Sequence, residues 1–314
     1  MSSRKINTIV WAIIACLLWS TAYPFIKIGL EYSTPLHFAG SRFILSGLMI
    51  LPFTIRPKLY FTMIRENLSL VLMVTLLQTV INYVLFYLGM DLVPGAIGAV
   101  IVGAQPFVTA IVSRIMIKEE RFTRAKVMTI FLGLAGIVLV SLGRQEFHFG
   151  GKTELAGIAM IFIANISTAT SNVLISKKGR NMNPLVLSSF SILTGGIIIF
   201  LVSFLVEDVP SKPDFPTRYW LVLGWLAFMS AFTFSRWYVL LQRPEVKVSE
   251  LNLWKFIIPV FGAILSWMLV PGEDPDWLTV VGMSVISLSL IYFFGITGRK
   301  ERKEEEVPAG PIAK

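Results

Sequence analysis

Lys255 stands within the apolar run 249–270, about seven residues from its start. An unpaired charge inside a hydrocarbon layer is costly, so such a lysine needs an anionic partner or a water-filled chamber. Glu250 is five residues away, about 500° around a helix, so the two side chains lie on different faces. Lys255 therefore predicts a site for an anionic solute. The alternatives are a structural salt bridge or a side chain that snorkels to the interface.

Two stripes of uncharged polar residues lie in other apolar runs. Gln78 and Asn82 are four residues apart and share one helical face. Asn165, Thr168 and Asn172 form a second polar face. Such side chains either hydrogen-bond to a neighbouring helix or line a wet cavity. We predict that both stripes contribute to a solute site.

Aromatic residues accompany these polar groups. Trp19 and Tyr23 share a helical face, Trp254 precedes Lys255, and Arg236 precedes two aromatic residues. Rings can wall a pocket for an amphipathic solute, and a guanidinium can stack on them. Core packing of the rings and snorkelling of Arg236 are the alternatives. The predicted substrate-binding residues are Trp19, Tyr23, Gln78, Asn82, Asn165, Thr168, Asn172, Arg236, Trp254 and Lys255.

The residue patterns of catalysis are missing from the sequence. Cys16 is the only cysteine, and no cluster has the spacing of metal ligands. No apolar run holds two acidic residues, which argues against an intramembrane aspartyl protease. A GxxxxGK[ST] phosphate loop is also missing, which argues against ATP hydrolysis by this chain. We predict that the protein is not an enzyme and uses no metal or cofactor.

Long apolar segments must position the polar residues. The 314-residue chain is 55% hydrophobic and 15% charged, whereas soluble domains carry roughly 25% charge. Blocks of about twenty apolar residues match a hydrocarbon layer of about 30 Å. The sequence predicts an all-α integral membrane protein with ten transmembrane helices, at about 9–30, 36–52, 68–90, 95–117, 127–142, 155–176, 184–205, 219–241, 249–270 and 277–296.

Basic residues are distributed unequally between the two ends of these spans. With the amino terminus inside, the inner segments hold nineteen Lys and Arg and the outer loops hold four. This bias predicts that both termini are cytoplasmic. The net charge of +9 then reflects membrane topology and contact with anionic lipid, so nucleic acid is not a predicted partner. We predict a multi-pass protein of the cell membrane, in a prokaryote the inner membrane.

The first five spans repeat as the last five. A shift of 153 residues places Pro106 on Pro259 and Glu120 on Glu273, and a shift of 149 places Gly47 on Gly196. An odd number of spans in each half inverts the second copy, which is the arrangement of many transporters. The predicted units are a first repeat at 1–146, a second at 147–298 and a cytoplasmic tail at 299–314.

Pro106 and Pro259 interrupt equivalent helices. Proline removes a backbone hydrogen bond and kinks its helix. Freed carbonyl groups are tolerated only against protein or a water-filled cavity. We predict that both prolines produce a bend that gates a cavity; a purely structural kink is the alternative.

These segments resemble the EamA-like branch of the drug/metabolite transporter superfamily. The resemblance covers essentially the whole chain and is carried by "WSTAYPFIKIGL", "SRFILSGLMILP", "AQPFVTAIVSRIMIKEERF" and "LNLWKFIIPVFGAILSWMLVPGEDPDW". It implies two inverted five-helix repeats around a central cavity lined mainly by spans 1, 3, 4, 6, 8 and 9. Small multidrug members of the superfamily carry a proton-coupling glutamate in span 1. Trp19 occupies roughly that place here.

The predicted function is secondary-active or facilitative transport. Buried cations favour an anionic solute, and the resemblance implies export of amino acids or related small metabolites by alternating access. An organophosphate or nucleotide-sugar exchanger and a multidrug exporter are the alternatives. The predicted partners are a small-molecule substrate and the lipid bilayer. Gly95, Ala99 and Gly103 form a small-residue ridge, which leaves a homodimer open beside the predicted monomer.

Overall fold

The fold consists of helices that run in alternating directions. The computed structural model describes residues 3–93, 95–120, 122–144, 151–209, 215–269 and 275–306. Its α-helices are α1 Ser3–Ser20, α2 Ala22–Gly29, α3 Pro35–Ile50, α4 Pro57–Glu66, α5 Leu68–Val74, α6 Asn82–Asp91, α7 Gly95–Gly103, α8 Gln105–Met116, α9 Arg124–Arg144, α10 Lys152–Lys178, α11 Pro184–Val206, α12 Thr217–Leu241, α13 Val248–Leu253, α14 Ile257–Leu269 and α15 Trp277–Glu306. A π-helical turn, Thr75–Ile81, joins α5 to α6, and a 3₁₀ turn, Trp254–Phe256, joins α13 to α14.

The predicted all-α membrane fold is confirmed. Within the described residues, nine helical segments are long and apolar enough to cross a membrane. The remaining predicted span, the eighth, is α12, which has 25 residues and a length of about 37 Å. It is long enough to span, but it is not among the nine because tryptophans, tyrosines and Arg236 lower its hydropathy.

One connection that was predicted as a loop contains a helix. Segment 53–67 includes α4, on which Leu59 and Phe61 are 51% and 62% exposed. Tyr60 and Ile64 of the same helix are buried. Exposed apolar side chains on a short amphipathic helix are typical of a segment that lies in the membrane interface.

The helices pair as two related halves. α3 packs along α11, α9 along α15, the π turn and α6 along α10, and α1 with α2 along α12. Numbered as spans, these pairs are 2 with 7, 5 with 10, 3 with 6, and 1 with 8. Each span of the first repeat corresponds to the span five later in the second repeat. When every span is replaced by its counterpart, the pair 3 with 6 becomes 8 with 1, and the pairs 2 with 7 and 5 with 10 are unchanged. A two-fold relation between the halves gives this result, so the packing agrees with the repeat in the sequence.

Equivalent glycines allow the α3–α11 pair to approach closely. A Cβ atom at Gly47 would lie 2.7 Å from the backbone of Leu193, and one at Gly196 would lie 2.7 Å from the Ile44 nitrogen. Neither position has room for a side chain, so each repeat supplies the small residue at the contact. Gly47 and Gly196 are the pair that the 149-residue shift aligned.

Hydrogen bonds join helix ends at both faces of the bundle. Arg243, just after α12, donates to Thr8 and Asn7 near the start of α1 at 2.6 and 2.9 Å. At the opposite face, Glu207 after α11 accepts from the Leu36 and His37 nitrogens at 2.6 and 3.0 Å. The second contact satisfies the free backbone donors at the start of α3. We call the face at which α1 begins the N face.

Candidate functional site

The fourth span is broken immediately before its proline. α7 ends at Gly103 and α8 begins at Gln105, with Ala104 in a turn between them. Pro106 occupies the first turn of α8, where a missing backbone donor costs little. The helix therefore restarts at the proline, and the Gln105 side chain lies at the break.

The ninth span is also interrupted shortly before its proline. α13 ends at Leu253, the 3₁₀ turn Trp254–Phe256 follows, and α14 contains Pro259 in its first turn. The residue four positions before Pro259 is Lys255, whose carbonyl group cannot receive the usual helical hydrogen bond from residue 259. The repeated proline thus places Lys255 in irregular backbone within a membrane span.

The two breaks meet through their side chains. Lys255 Nζ donates to Gln105 Oε1 at 3.0 Å. Lys255 is only partly buried and lies about 10 Å along the span from the start of α13. In the described part of the chain no carboxylate lies within ion-pair distance of Lys255. An ammonium group has three donors, so the lysine keeps capacity for an anion.

Two tryptophans enclose the ammonium group, and we call Trp19, Trp237 and Lys255 the cage. Lys255 Nζ lies 5.5 Å from the ring centroid of Trp19 and 5.0 Å from that of Trp237. The two indoles contact each other edge to face with centroids 5.1 Å apart, and Trp19 also meets Phe234 at 5.7 Å. Ring faces attract a cation without neutralising it. The rings therefore hold Lys255 in position and leave its charge available.

Unsatisfied polar atoms occur beside this cage. Asn172 Nδ2 donates to Asn252 Oδ1 at 3.2 Å, and Asn252 lies about one helical turn before Lys255. Asn172 Oδ1 and the Trp237 Nε1–H are buried and have no hydrogen-bond partner among the described residues. Buried polar groups in native proteins are normally paired. The first atom belongs to a residue bonded to Asn252, which lies on the helix leading to Lys255, and the second belongs to one of the two rings that contact Lys255.

The remaining polar stripe residues tie helices together. Asn165 donates to the Ile101 carbonyl at 2.5 Å, and Thr168 donates to Asn82 Oδ1 at 2.7 Å. These are bonds from α10 to α7 and to α6. Gln78 lies in the π turn, is 5% exposed, and its Oε1 has no partner in the described structure. The structure therefore shows interhelical hydrogen bonds for Asn82, Asn165 and Thr168, and the cavity role of Gln78 stays a prediction.

Other predicted site residues lie elsewhere. Trp254 stacks on Phe294 of α15, with centroids 3.9 Å apart and an interplanar angle of 14°. Arg236 is exposed and lies over Trp11, with its Cζ 4.4 Å from the ring centroid. The rings over the Lys255 ammonium group in the described structure are those of Trp19 and Trp237. The side chain of Tyr23 lies outside the described residues.

Three residues of the site were not in the predicted set: Gln105, Trp237 and Asn252. Gln105 could have been recognised, because it is the polar residue beside the first repeated proline. Trp237 follows Arg236 directly and Asn252 lies one turn before Lys255. Their positions depend on which face of each helix points inward, and this is decided by the neighbouring helices.

A charged cluster fixes the start of α13 at the N face. Glu120 is 4% exposed and its carboxylate accepts from the Val248 and Ser249 nitrogens at 2.6 and 3.1 Å and from the Ser249 hydroxyl. Lys126 donates to Ser249 Oγ at 2.8 Å and lies 4.0 Å from Glu250. The cluster connects the start of α13, about two helical turns before Lys255, to the end of α8 and the start of α9. The repeat equivalent of Glu120, Glu273, lies outside the described residues.

A known protein family matches this chain over both of its halves. The profile of the EamA-like transporter family matches the chain twice, over residues 6–142 and 155–295. The two matched segments correspond to the two halves that the sequence shift identified.

Curated relatives match over most of their length. An uncharacterized transporter of Bacillus subtilis, YvbV, is 24% identical over 296 residues, which is 91% of each chain. The uncharacterized inner membrane transporter YedA of Escherichia coli strain K12 is 25% identical over 296 residues, 93% of this chain and 92% of YedA. A Chlamydia trachomatis protein named as an S-adenosylmethionine/S-adenosylhomocysteine transporter is 22% identical over 289 residues, 88% of this chain and 86% of that protein.

A solved structure has the same fold. One crystal structure superposes with a TM-score of 0.74 at 17% sequence identity, over 94% of this chain and 99% of that chain. Two family matches, the apolar spans and the two-fold pairing of helices all lead to one assignment. The protein is a multi-pass membrane protein that belongs to the EamA-like transporter family.

Proposed function

We propose that the protein exports amino acids or related small metabolites with an anionic group, by alternating access through a central site at Lys255. The proposal depends on one observation. Lys255 is held between two tryptophans at the meeting point of two broken spans, with no acidic partner in the described structure. A membrane protein has little structural reason to keep such a charge, so we assign it to substrate.

The chemistry of the cage favours a carboxylate. Lys255 is the cation that contacts Trp19 and Trp237, and a single ammonium group balances a single negative charge. The unpartnered Asn172 Oδ1 can accept from a substrate ammonium group, and the Trp237 Nε1–H can donate to a second oxygen. An α-amino acid carries both groups on adjacent atoms, and the rings supply contact for an apolar side chain.

The alternatives fit the site less well. A dianionic organophosphate would be balanced better by two cations, but Arg42 is tied to Ser230 at 2.8 Å and Arg236 is exposed on the outside of α12. A cationic drug would meet the positive charge of Lys255. The name of the Chlamydia relative gives S-adenosylmethionine and S-adenosylhomocysteine, and both compounds contain an α-amino acid group.

The orientation and the direction of transport are part of the proposal. We propose that the N face and both termini are cytoplasmic, and the excess of basic residues in the segments at that face supports this orientation. The first repeat is 1–146, the second is 147–298 and the tail is 299–314. We take the monomer as the transporting unit. Substrate enters from the N face and leaves at the opposite face.

A counterflow assay tests the proposal. Proteoliposomes loaded with a mixture of the twenty amino acids should accumulate at least one labelled amino acid. Liposomes loaded with sugar phosphates should not. Protein-free liposomes are the control. Exchange that requires a phosphorylated solute would replace the proposed substrate class, and no exchange with any amino acid or sugar phosphate would contradict the proposal as stated.

We further propose that the break at Pro106 allows the two halves to rock, with Pro259 as its counterpart. Pro106→Ala restores a backbone donor, so the α7–α8 turn can close into continuous helix and withdraw Gln105 from Lys255. We expect the transport rate to fall several-fold, with thermal stability unchanged or raised. Initial rates in proteoliposomes measure this effect.

Pro57→Ala is the matched control, since Pro57 begins the surface helix α4 and is exposed. It should transport at the wild-type rate. A Pro106→Ala variant with wild-type rates would show that the kink serves only packing.

A further inference from the structure

Arg236 lies on the outward surface of a membrane span. It shares the exposed face of α12 with Leu221 and Phe228, which are 70% and 50% exposed. Trp237 is the next residue, about 100° further around the helix, and it is buried in the cage. The apolar neighbours on its own face show that Arg236 faces lipid and not the central site.

The guanidinium group is clamped but its charge is not balanced. Its Cζ lies 4.4 Å from the ring centroid of Trp11 on α1 and 5.6 Å from that of Phe232. Within the described residues Arg236 has no hydrogen bond and no ion pair. A guanidinium carries five donors in a rigid fork. Two rings therefore orient a cation whose donors remain free.

The depth of Arg236 places these donors near lipid headgroups. Arg236 is five residues before the end of α12 at Leu241, about 7.5 Å along the axis. The bonds from Arg243 to Thr8 and Asn7 mark the N face at that end. An arginine stem can extend over several ångströms and carry its charged head towards the interface.

We propose that the cleft between α1 and α12, formed by Arg236, Trp11 and Phe232, binds the phosphate group of an anionic phospholipid in the leaflet at the N face. Arginine binds phosphate oxygens in a bidentate manner, and basic clefts between membrane helices bind lipid headgroups. The site is separate from the Lys255 cage and does not depend on the identity of the transported solute.

The surroundings favour a lipid over a free phosphate ion. Phe228 lies one turn beyond Phe232, with ring centroids 6.3 Å apart, and Val10 on α1 is 45% exposed. Phe228 continues the cleft from Phe232 towards the membrane centre, and Val10 adds apolar surface beside Trp11. An acyl chain can lie along this apolar surface while its phosphate contacts Arg236, whereas an inorganic ion gains nothing from it.

The test is titration of the purified full-length protein with phosphatidylglycerol or phosphatidylcholine in detergent, read as the shift of the thermal unfolding midpoint. Phosphatidylglycerol should stabilise the wild type more than phosphatidylcholine. Arg236→Gln should need at least about tenfold more phosphatidylglycerol for the same shift, because a charge-assisted contact is lost. Lys152→Gln removes an exposed charge from the start of α10, at the opposite face, and should titrate like the wild type.

Three results would overturn the proposal. They are a full response to phosphatidylglycerol in Arg236→Gln, equal stabilisation by the two lipids, and the same shift produced by inorganic phosphate at the same concentration. Should Arg236→Gln fail to fold, Trp11→Leu takes its place, because it keeps the charge and removes the ring that orients it. That variant should also bind phosphatidylglycerol more weakly, and wild-type binding would count against the site.

Discussion

Replacing Lys255 by methionine should abolish transport while the protein still folds. Methionine keeps an unbranched stem between Trp19 and Trp237 and removes the charge and the bond to Gln105. Losing a charged hydrogen bond to a carboxylate should weaken substrate binding by about 100-fold. Counterflow in proteoliposomes and the substrate-induced shift of the unfolding midpoint both measure this loss.

The stability of the same variant should not fall. Lys255 has no acidic partner in the described structure, so its desolvation is not offset by an ion pair. Replacing an unpaired, partly buried charge with an apolar side chain is neutral or stabilising. We therefore expect an equal or higher unfolding midpoint. Loss of activity together with retained stability is the pattern of a functional site whose charge is kept at a cost to the fold.

Lys58→Met is the matched control, since it removes an exposed lysine from α4. It should leave both transport and the unfolding midpoint unchanged. Lys255→Arg retains the charge with a larger planar head and should recover part of the binding. Wild-type transport by Lys255→Met would remove Lys255 from the mechanism.

The positions of the membrane-spanning helices could be predicted from the sequence, because few backbone conformations are stable in a membrane. Hydrocarbon forces the backbone into helices, so runs such as 184–205 predict spans whose structure is α11, Pro184–Val206. The repeated prolines predicted two breaks at equivalent places. The structure adds that one side chain from each interruption meets the other, since Lys255 of the second half donates to Gln105 of the first half.

Which side chains of a helix point towards the cage could not be predicted in the same way. Adjacent residues on a helix are about 100° apart, so only one of Arg236 and Trp237 can face the cage. The same holds for Trp254 and Lys255. Both residues of each adjacent pair have side chains that suit a substrate site. The sequence of one helix does not determine which of the two will point towards the cage, because this depends on how the neighbouring helices pack. In the structure Trp237 and Lys255 face inward, Trp254 stacks on Phe294, and Arg236 is exposed.

Removing the Glu120 carboxylate should produce the largest loss of stability. Its oxygens accept from two backbone nitrogens at the start of α13 and from the Ser249 hydroxyl, and Lys126 is 2% exposed beside them. Glu120→Ala leaves those donors without an acceptor and takes a negative charge away from a buried ammonium. Breaking such a buried arrangement costs about 3–5 kcal/mol. The unfolding midpoint in detergent should fall by roughly 6 °C or more.

Glu119 provides an adjacent control. It is exposed, and Glu119→Ala removes a carboxylate from the same connection between α8 and α9. Exposed charges contribute little, so its unfolding midpoint should stay within about 1 °C of the wild type. Glu120→Gln keeps one acceptor oxygen and loses the charge, so it should fall between the two.

The Glu120 cluster also has a consequence for transport, because α13 carries Asn252 and leads into the 3₁₀ turn that holds Lys255. If Glu120 sets the position of that segment, Glu120→Gln should raise the substrate concentration needed for half-maximal transport more than it lowers the maximal rate. The assay must be run below the unfolding midpoint of the variant, so that loss of folded protein does not imitate the effect. An unchanged half-saturating concentration would mean that the cluster supports the fold of the N face without positioning the cage.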